Sequence, residues 1–256
     1  MKRILLAFGD SHTAGAEIEN QYEGKCYAKA YPARIAKHYE FGYENFAVSG
    51  GSNDWMLRQF MIRIQHALIK KEQVFVLCNF CDPARTYVKL PGKINHCCPS
   101  LLLQDEHTDK RLLVDVDFIK PYEDYIRSNT DEFLNHKALS QILIMQTICD
   151  QYSIPYIFHI STNWYEGNWN LINKNNFFGH HSTKKIVYKE SDIMKLELYQ
   201  KYTFWGYASC DPEWKHIQND PRWAKHYPES FHEFWANYLI NFIDEQKILD
   251  TTTESE

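Results

Sequence analysis

A chain of 256 residues that is 44% hydrophobic and 15% aromatic carries enough apolar material for one full core and little reason to divide into smaller units. Its 28 basic and 33 acidic residues are spread along the chain to a formal net charge of −5, which argues against nucleic acid as a partner. Seven scattered cysteines in a chain of this size read as reduced thiols in a cytoplasmic setting, and no run approaches the uncharged apolar length needed to span a bilayer.

In chain order, the apolar start from Met1 to Phe8 is too short for a secretory h-region and stops at Gly9-Asp10, so Arg3–Phe8 reads as a buried first strand. A turn, Gly9-Asp10-Ser11-His12-Thr13-Ala14-Gly15, follows it. Tyr31–His38 is helix-like, and Tyr43–Val48 reads as a second strand ended by Ser49-Gly50-Gly51-Ser52. Over Asp54–Lys70 the residues Trp55, Leu57, Phe60, Met61, Ile64 and Leu68 recur at helical spacing, as the apolar stripe of a helix does. Gln73–Cys78 is a third strand, after which Lys89–Asp115 shows few regular periods. A long helix is expected over much of Asp131–Tyr152, then a fourth strand at Pro155–Ile160, an irregular stretch over Asn163–Lys225, and a closing amphipathic helix at Ser230–Glu245.

Strands alternating with helices predict a parallel sheet covered on both faces, in a single α/β domain spanning 1–250. The irregular stretches, at about 89–115 and 163–225, are expected as insertions at the rim of the sheet, and 251–256 as a polar tail. In such a sheet ligands bind beyond the carboxyl ends of the strands, so chemistry is sought at the strand exits.

Ser11 leaves the first strand on a glycine-flanked turn, which projects its hydroxyl at that edge and lets amide groups face the same point. The alternative reading is a strand-terminating turn with Asp10 or Ser11 as a helix cap. After the second strand, Gly50 offers a backbone N–H, while Ser52 or Asn53 can also serve as an N-cap. After the third strand, Leu77-Cys78-Asn79-Phe80-Cys81-Asp82 offers the amide of Asn79. Near the end, His226-Tyr227-Pro228 precedes a helix bearing Trp235-Ala236, and an imidazole there, with an unperturbed pKa of about 6.5, suits a base at neutral pH. His232, inside that helix, reads as structural.

These blocks, in this order, resemble the four sequence blocks of the SGNH (GDSL-like) hydrolase superfamily. The resemblance implies a three-layer α/β/α sandwich with a central parallel sheet of the flavodoxin-like type. It also implies ester hydrolysis, with Ser11 as nucleophile, His226 as general base, and the amides of Ser11 and Gly50 with the Asn79 side chain as the oxyanion hole. The chain departs from the family at two places. Aligning Asp82 with the third block's aspartate puts Cys81, a weak donor, at the asparagine position, and Asn53 is a second alternative donor. The aspartate usually three residues before the histidine is replaced by Trp223, leaving Asp220, Asp211 or a Ser-His dyad to orient the imidazole.

Cys78, Cys81, His96, Cys97 and Cys98 have some look of a zinc site but lack paired Cys-x-x-Cys spacing, and buried thiols are the favoured reading, with no metal. No organic cofactor is called for either. The partner expected is a small-molecule or carbohydrate ester, with acetyl as the first acyl group considered and Trp164, Trp169 and Trp205 as aromatics that either stack on sugar rings or pack their own loop. Transfer of the acyl group to an acceptor other than water shares the same first step. The rival from another class is a catalytically impaired module of the same fold that binds a glycan or a protein. Oligomeric state is not read from the sequence.

Overall fold

The structure is a computed structural model, described here over residues 2–16, 18, 27–91, 93–97, 119–161, 169–178 and 228–250. Its elements run β1 (Ile4–Phe8), α1 (Ser11–Ala14), α2 (Tyr31–His38), β2 (Gly42–Asn45), α3 (Asn53–Lys70), β3 (Val74–Phe80), β4 (Thr86–Leu90), β5 (Lys93–Cys97), α4 (Ile119–Ser128), α5 (Asp131–Gln151), β6 (Tyr156–Ile160) and α6 (Glu229–Glu245). The sheet has the order β2-β1-β3-β6 and every pairing in it is parallel.

Because successive side chains on a strand face opposite ways, each central strand feeds two cores. Leu6 and Phe8 of β1, Val76, Cys78 and Phe80 of β3, and Tyr156, Phe158 and Ile160 of β6 pack against Met56, Phe60 and Ile64 of α3 and Ala138, Ile142 and Met145 of α5. Leu5 and Ala7, Phe75 and Leu77, and Ile157 pack on the other face against Tyr31 and Ile35 of α2 and Phe231, Trp235, Ala236 and Leu239 of α6. The result is the expected α/β/α sandwich, and its strand order opens in the flavodoxin-like way. No helix among the described residues is long and apolar enough to cross a membrane.

Three expectations are corrected. The buried stripe of α3 is Met56, Phe60, Arg63, Ile64 and Ala67, while Met61 and Leu68 are 47% and 37% exposed. The helix is rotated because Arg63 is drawn in by two carboxylates: its fork meets Glu44 at 2.8 and 2.9 Å and its third nitrogen lies 2.7 Å from Glu72. The start of the first irregular stretch belongs to an antiparallel hairpin of β4 and β5, paired from Thr86 with Cys97 to Leu90 with Lys93. Third, β3 runs two residues beyond Cys78, which changes where Asn79 points.

The outer edge of β6 carries a single-residue parallel bridge between Phe158 and Phe177. There Phe158 N–H donates to Asn176 C=O at 2.9 Å, and Phe178 N–H donates to Phe158 C=O at 2.8 Å.

Candidate active site

Ser11 opens the single helical turn α1 at the carboxyl end of β1 and is 7% exposed. The turn exists because its caps fit. Asp10 is the N-cap, accepting the His12 amide at 3.1 Å, and Gly15 closes the turn at φ +65°, a left-handed value that glycine adopts without cost. Gly9 must also lack a side chain, since a Cβ there would lie 2.2 Å from the Thr13 hydroxyl and 3.1 Å from Asn79 Cβ.

Each other strand of the sheet sends a polar side chain from its exit to this turn. Asn45 of β2 donates to the Thr13 carbonyl at 2.8 Å. Asn79 of β3 donates to the Thr13 hydroxyl at 3.0 Å. Ser161, just past β6, donates to Asp10 Oδ2 at 2.9 Å, and Arg85 reaches the same oxygen at 3.1 Å from the link between β3 and β4. On the α2 side the Tyr31 hydroxyl lies 3.0 Å from the Thr13 hydroxyl and 3.0 Å from His159 Nε2.

Burial alone would push the Asp10 carboxyl up. The charges of His12 and Arg85, with hydrogen bonds from Ser161 and the His12 amide, outweigh it and hold the group below its ordinary value. Burial pushes the His159 imidazole down to about 3 and the Tyr31 phenol well up, so both are neutral at ordinary pH. The Cys81 thiol is likewise pushed up by burial, chiefly, and is no thiolate nucleophile.

Beside the Ser11 turn, the chain leaving β2 is laid along β1: Phe46 N–H donates to Ala7 C=O at 2.8 Å and Val48 N–H to Gly9 C=O at 3.3 Å. Gly50 has φ +71°, and Gly51 packs so tightly that a Cβ would sit 2.8 Å from the Val48 carbonyl and 3.0 Å from that of Gly9. Ser52 then caps α3 by accepting Trp55 N–H. The hairpin covers this loop, with His96 over Gly50, and Trp55 lies edge-on to the cross-strand pair Tyr87 and His96, at 5.5 and 5.1 Å.

The two candidate side-chain amides are both engaged by the protein. Asn79, expected past a strand end, instead lies within β3, wholly buried and turned toward the α2 layer. Asn53 clips the exit of β3: its Oδ1 accepts Cys81 N–H at 2.9 Å and its Nδ2 donates to Cys81 C=O at 3.2 Å. Cys78, Cys81, Cys97 and Cys149 are buried, Cys81 Sγ lying 3.3 Å from Asn53 Oδ1 and Cys97 packing with Tyr122.

His226, Asp220, Asp211 and Trp223 lie outside the described residues, as do Cys98, Trp164 and Trp205. Trp169 is buried against Phe177. What is described is how α6 begins. His232, read as structural, is buried; its Nδ1 accepts Tyr31 N–H at 3.3 Å and its ring stacks on Tyr31. Arg34 meets Glu229 at 2.6 Å. The first turn of α6 therefore packs on the first turn of α2, whose Tyr31 touches Thr13.

Sequence reasoning missed Asn45, Arg85, Ser161, Tyr31 and His159. His159 stands as a polar residue inside an apolar strand, the one available signal of an inward-facing polar group; Arg85 and Ser161 come from loops whose paths only the fold reveals.

No model of a known protein family matches this chain, and no curated protein matches its sequence. Among solved structures it is similar to the psychrotrophic esterase EstA from Pseudoalteromonas sp., at 9% identity and a TM-score of 0.44, over 94% of this chain and 97% of that one. It is similar also to TesA, at 9% identity and a TM-score of 0.46, over 96% of this chain and 99% of that one.

Proposed function

We propose that this chain is a serine hydrolase of the SGNH type, cleaving a carboxylic ester through an acyl-enzyme on Ser11. The observation that carries the reading is the Ser11 turn itself: a serine at the carboxyl end of β1, held by the exits of β2, β3 and β6, with the Gly50-Gly51 loop tied to the carbonyl of Gly9. So many fixed bonds around one hydroxyl provide the preorganisation that acyl transfer requires.

In this reading Ser11 Oγ attacks the acyl carbon and gives its proton to His226, which returns it to the leaving alcohol oxygen as the ester C–O bond breaks. Water then repeats the sequence and frees the acid. The oxyanion is held by the N–H groups of Ser11 and Gly50, each worth about 3–4 kcal/mol to the transition state. The backbone donors come first in this reading, since the Asn79 and Asn53 amides each commit one of their two hydrogens to the protein. His226 is oriented by Asp220 or by a backbone carbonyl, and the docking of α6 beside Tyr31 supports a base drawn from the segment ahead of it. The substrate is a small ester, with an O-acetylated carbohydrate as the first class to try.

The test is hydrolysis of p-nitrophenyl acetate, together with fluorophosphonate labelling of the parent beside Ser11→Ala and His226→Ala. Labelling confined to Ser11 and lost in both variants is expected; an unlabelled parent would overturn the reading. The inward engagement of both asparagine amides favours one second reading, a non-catalytic module of this fold that binds a glycan. An unlabelled parent that binds an O-acetylated oligosaccharide without deacetylating it would decide for that second reading.

A further inference from the structure

We propose that Arg85 is a positioning residue for Ser11: by gripping the buried carboxylate of Asp10, it holds the nucleophile's turn down on the exits of β3 and β6. The inference rests on the hydrolase reading of Ser11 and extends it to a residue that sequence blocks do not single out.

Asp10 immediately precedes the nucleophile and is wholly buried, yet it accepts three hydrogen bonds from three parts of the chain. The His12 amide comes from α1 itself, the Ser161 hydroxyl from the end of β6 and the Arg85 guanidinium from the β3–β4 link. Ser161 is in turn anchored to β3, its N–H donating to Phe80 C=O at 2.7 Å. Among the described residues only Arg85 brings a full positive charge within hydrogen-bond reach, and it is itself largely covered, its side chain 16% exposed. A buried carboxylate without such a partner is costly in its charged form and takes up a proton instead. Once protonated it is a poorer acceptor for the His12 amide and the Ser161 hydroxyl, the two bonds that fix where α1 begins. The turn bearing Ser11 then loses its anchor.

The other titratable groups whose charge is felt at Asp10 are His12, Tyr31, Cys81 and His159. Tyr31, Cys81 and His159 are neutral and do not replace the guanidinium. His12 also bears on Asp10, and because it is the same in the parent and in every variant its effect is common to both sides of each comparison.

The experiment follows fluorophosphonate labelling of Ser11 across about pH 5.5–9 in the parent, Arg85→Met, Arg85→Lys and Arg85→Met/Asp10→Asn. Loss of a neighbouring opposite charge shifts a carboxylate by about 1–3 pH units, starting here from a value held below the ordinary one. The ratio of labelling rates, Arg85→Met to parent, is therefore expected to fall severalfold toward the acid end of this range. Taking the ratio removes the acid limb that the general base imposes on both. Arg85→Lys, which keeps charge but not the planar fork, is expected to follow the parent's pH profile at a rate about two- to tenfold lower. The double variant, which has no carboxylate to ionise, is expected to show a flat ratio. A flat ratio for Arg85→Met overturns the proposal, and should Arg85→Met fail to fold, Arg85→Gln is read in the same way. If the parent itself is not labelled, the hydrolase reading fails, and urea unfolding still decides the anchoring role. The stability gap between the parent and Arg85→Met must then narrow as pH falls from about 7 to about 4, because the stranded carboxylate is relieved by protonation.

Discussion

Asn79 and His159 stand directly opposite each other in the β3–β6 register, and both belong to one run of hydrogen bonds that never reaches the surface. The arrangement that leaves both hydroxyl hydrogens with an acceptor runs one way. Asn79 N–H donates to the Thr13 hydroxyl, Thr13 to the Tyr31 hydroxyl, and Tyr31 to His159 Nε2, which must then be neutral. A protonated His159 would have to donate at Nε2 and reverse the run.

The first prediction concerns acid. His159 is held near 3 in the folded chain against an ordinary 6.5 when unfolded, so the unfolded state takes up the proton first as pH falls. Its contribution is complete above that ordinary value and is lost through the window below it, amounting to about 2 kcal/mol by pH 5. Urea unfolding of the parent and His159→Gln at about pH 7 and about pH 5 should show this extra acid loss in the parent alone. Equal losses in both proteins would refute it.

Glycine substitutions should rank by what the missing Cβ would strike. Gly51→Ala meets two backbone carbonyls, at 2.8 and 3.0 Å, and should cost more than about 2 kcal/mol because backbone must move. Gly50→Ala has its tightest contact at 3.4 Å, to His96 Cβ, and mainly bears its left-handed φ, worth about 1–2 kcal/mol. Thermal unfolding gives the order, and Gly50 as the more damaging site would contradict it.

Asn53 is expected to matter for stability. Asn53→Ala strands the buried N–H and C=O of Cys81 and should cost about 2–3 kcal/mol. Hydrogen exchange at the Cys81 amide should accelerate more than exchange in the middle of β3, and unchanged protection at Cys81 would count against the clip.

Arg63 tests the rotation of α3. Arg63→Met keeps the packing of the stem and should cost about 1 kcal/mol, whereas Arg63→Ala loses stem and charge and should cost about 2–3 kcal/mol. Glu44 should titrate higher in both, since the Arg63 hydrogen bond is the main reason its carboxyl lies below the usual range. NMR titration of the Glu44 side chain checks this directly.

The sequence made the sandwich legible because strands and helices alternate with distinct periods: α2 came out as expected over Tyr31–His38, and β1, α3 and β6 within a residue. The hairpin was harder, since its signal was only the dipeptide Pro91-Gly92, and α4 was not foreseen at all. The hydrophobic stripe of α3 misled because an arginine occupies a core-facing position, which no hydropathy pattern anticipates. At the site, Ser11 and the Gly50 loop followed from glycines at strand ends. For Asn79 the difference is the strand end: β3 continues to Phe80, and alternation turns that side chain inward. Arg85 and Ser161 could not be read, because what joins them to Asp10 is separation in space across 75 and 151 positions of chain.

The short bridge of Phe177 along β6 has a consequence for the molecule in company. A parallel sheet with a bare final strand offers a template on which another chain can dock, but here the amide and carbonyl at the midpoint of that strand are already taken by Asn176 and Phe178. A foreign strand would find no uninterrupted row of partners on that side, so the protein guards its border against self-templated growth with three residues of its own backbone.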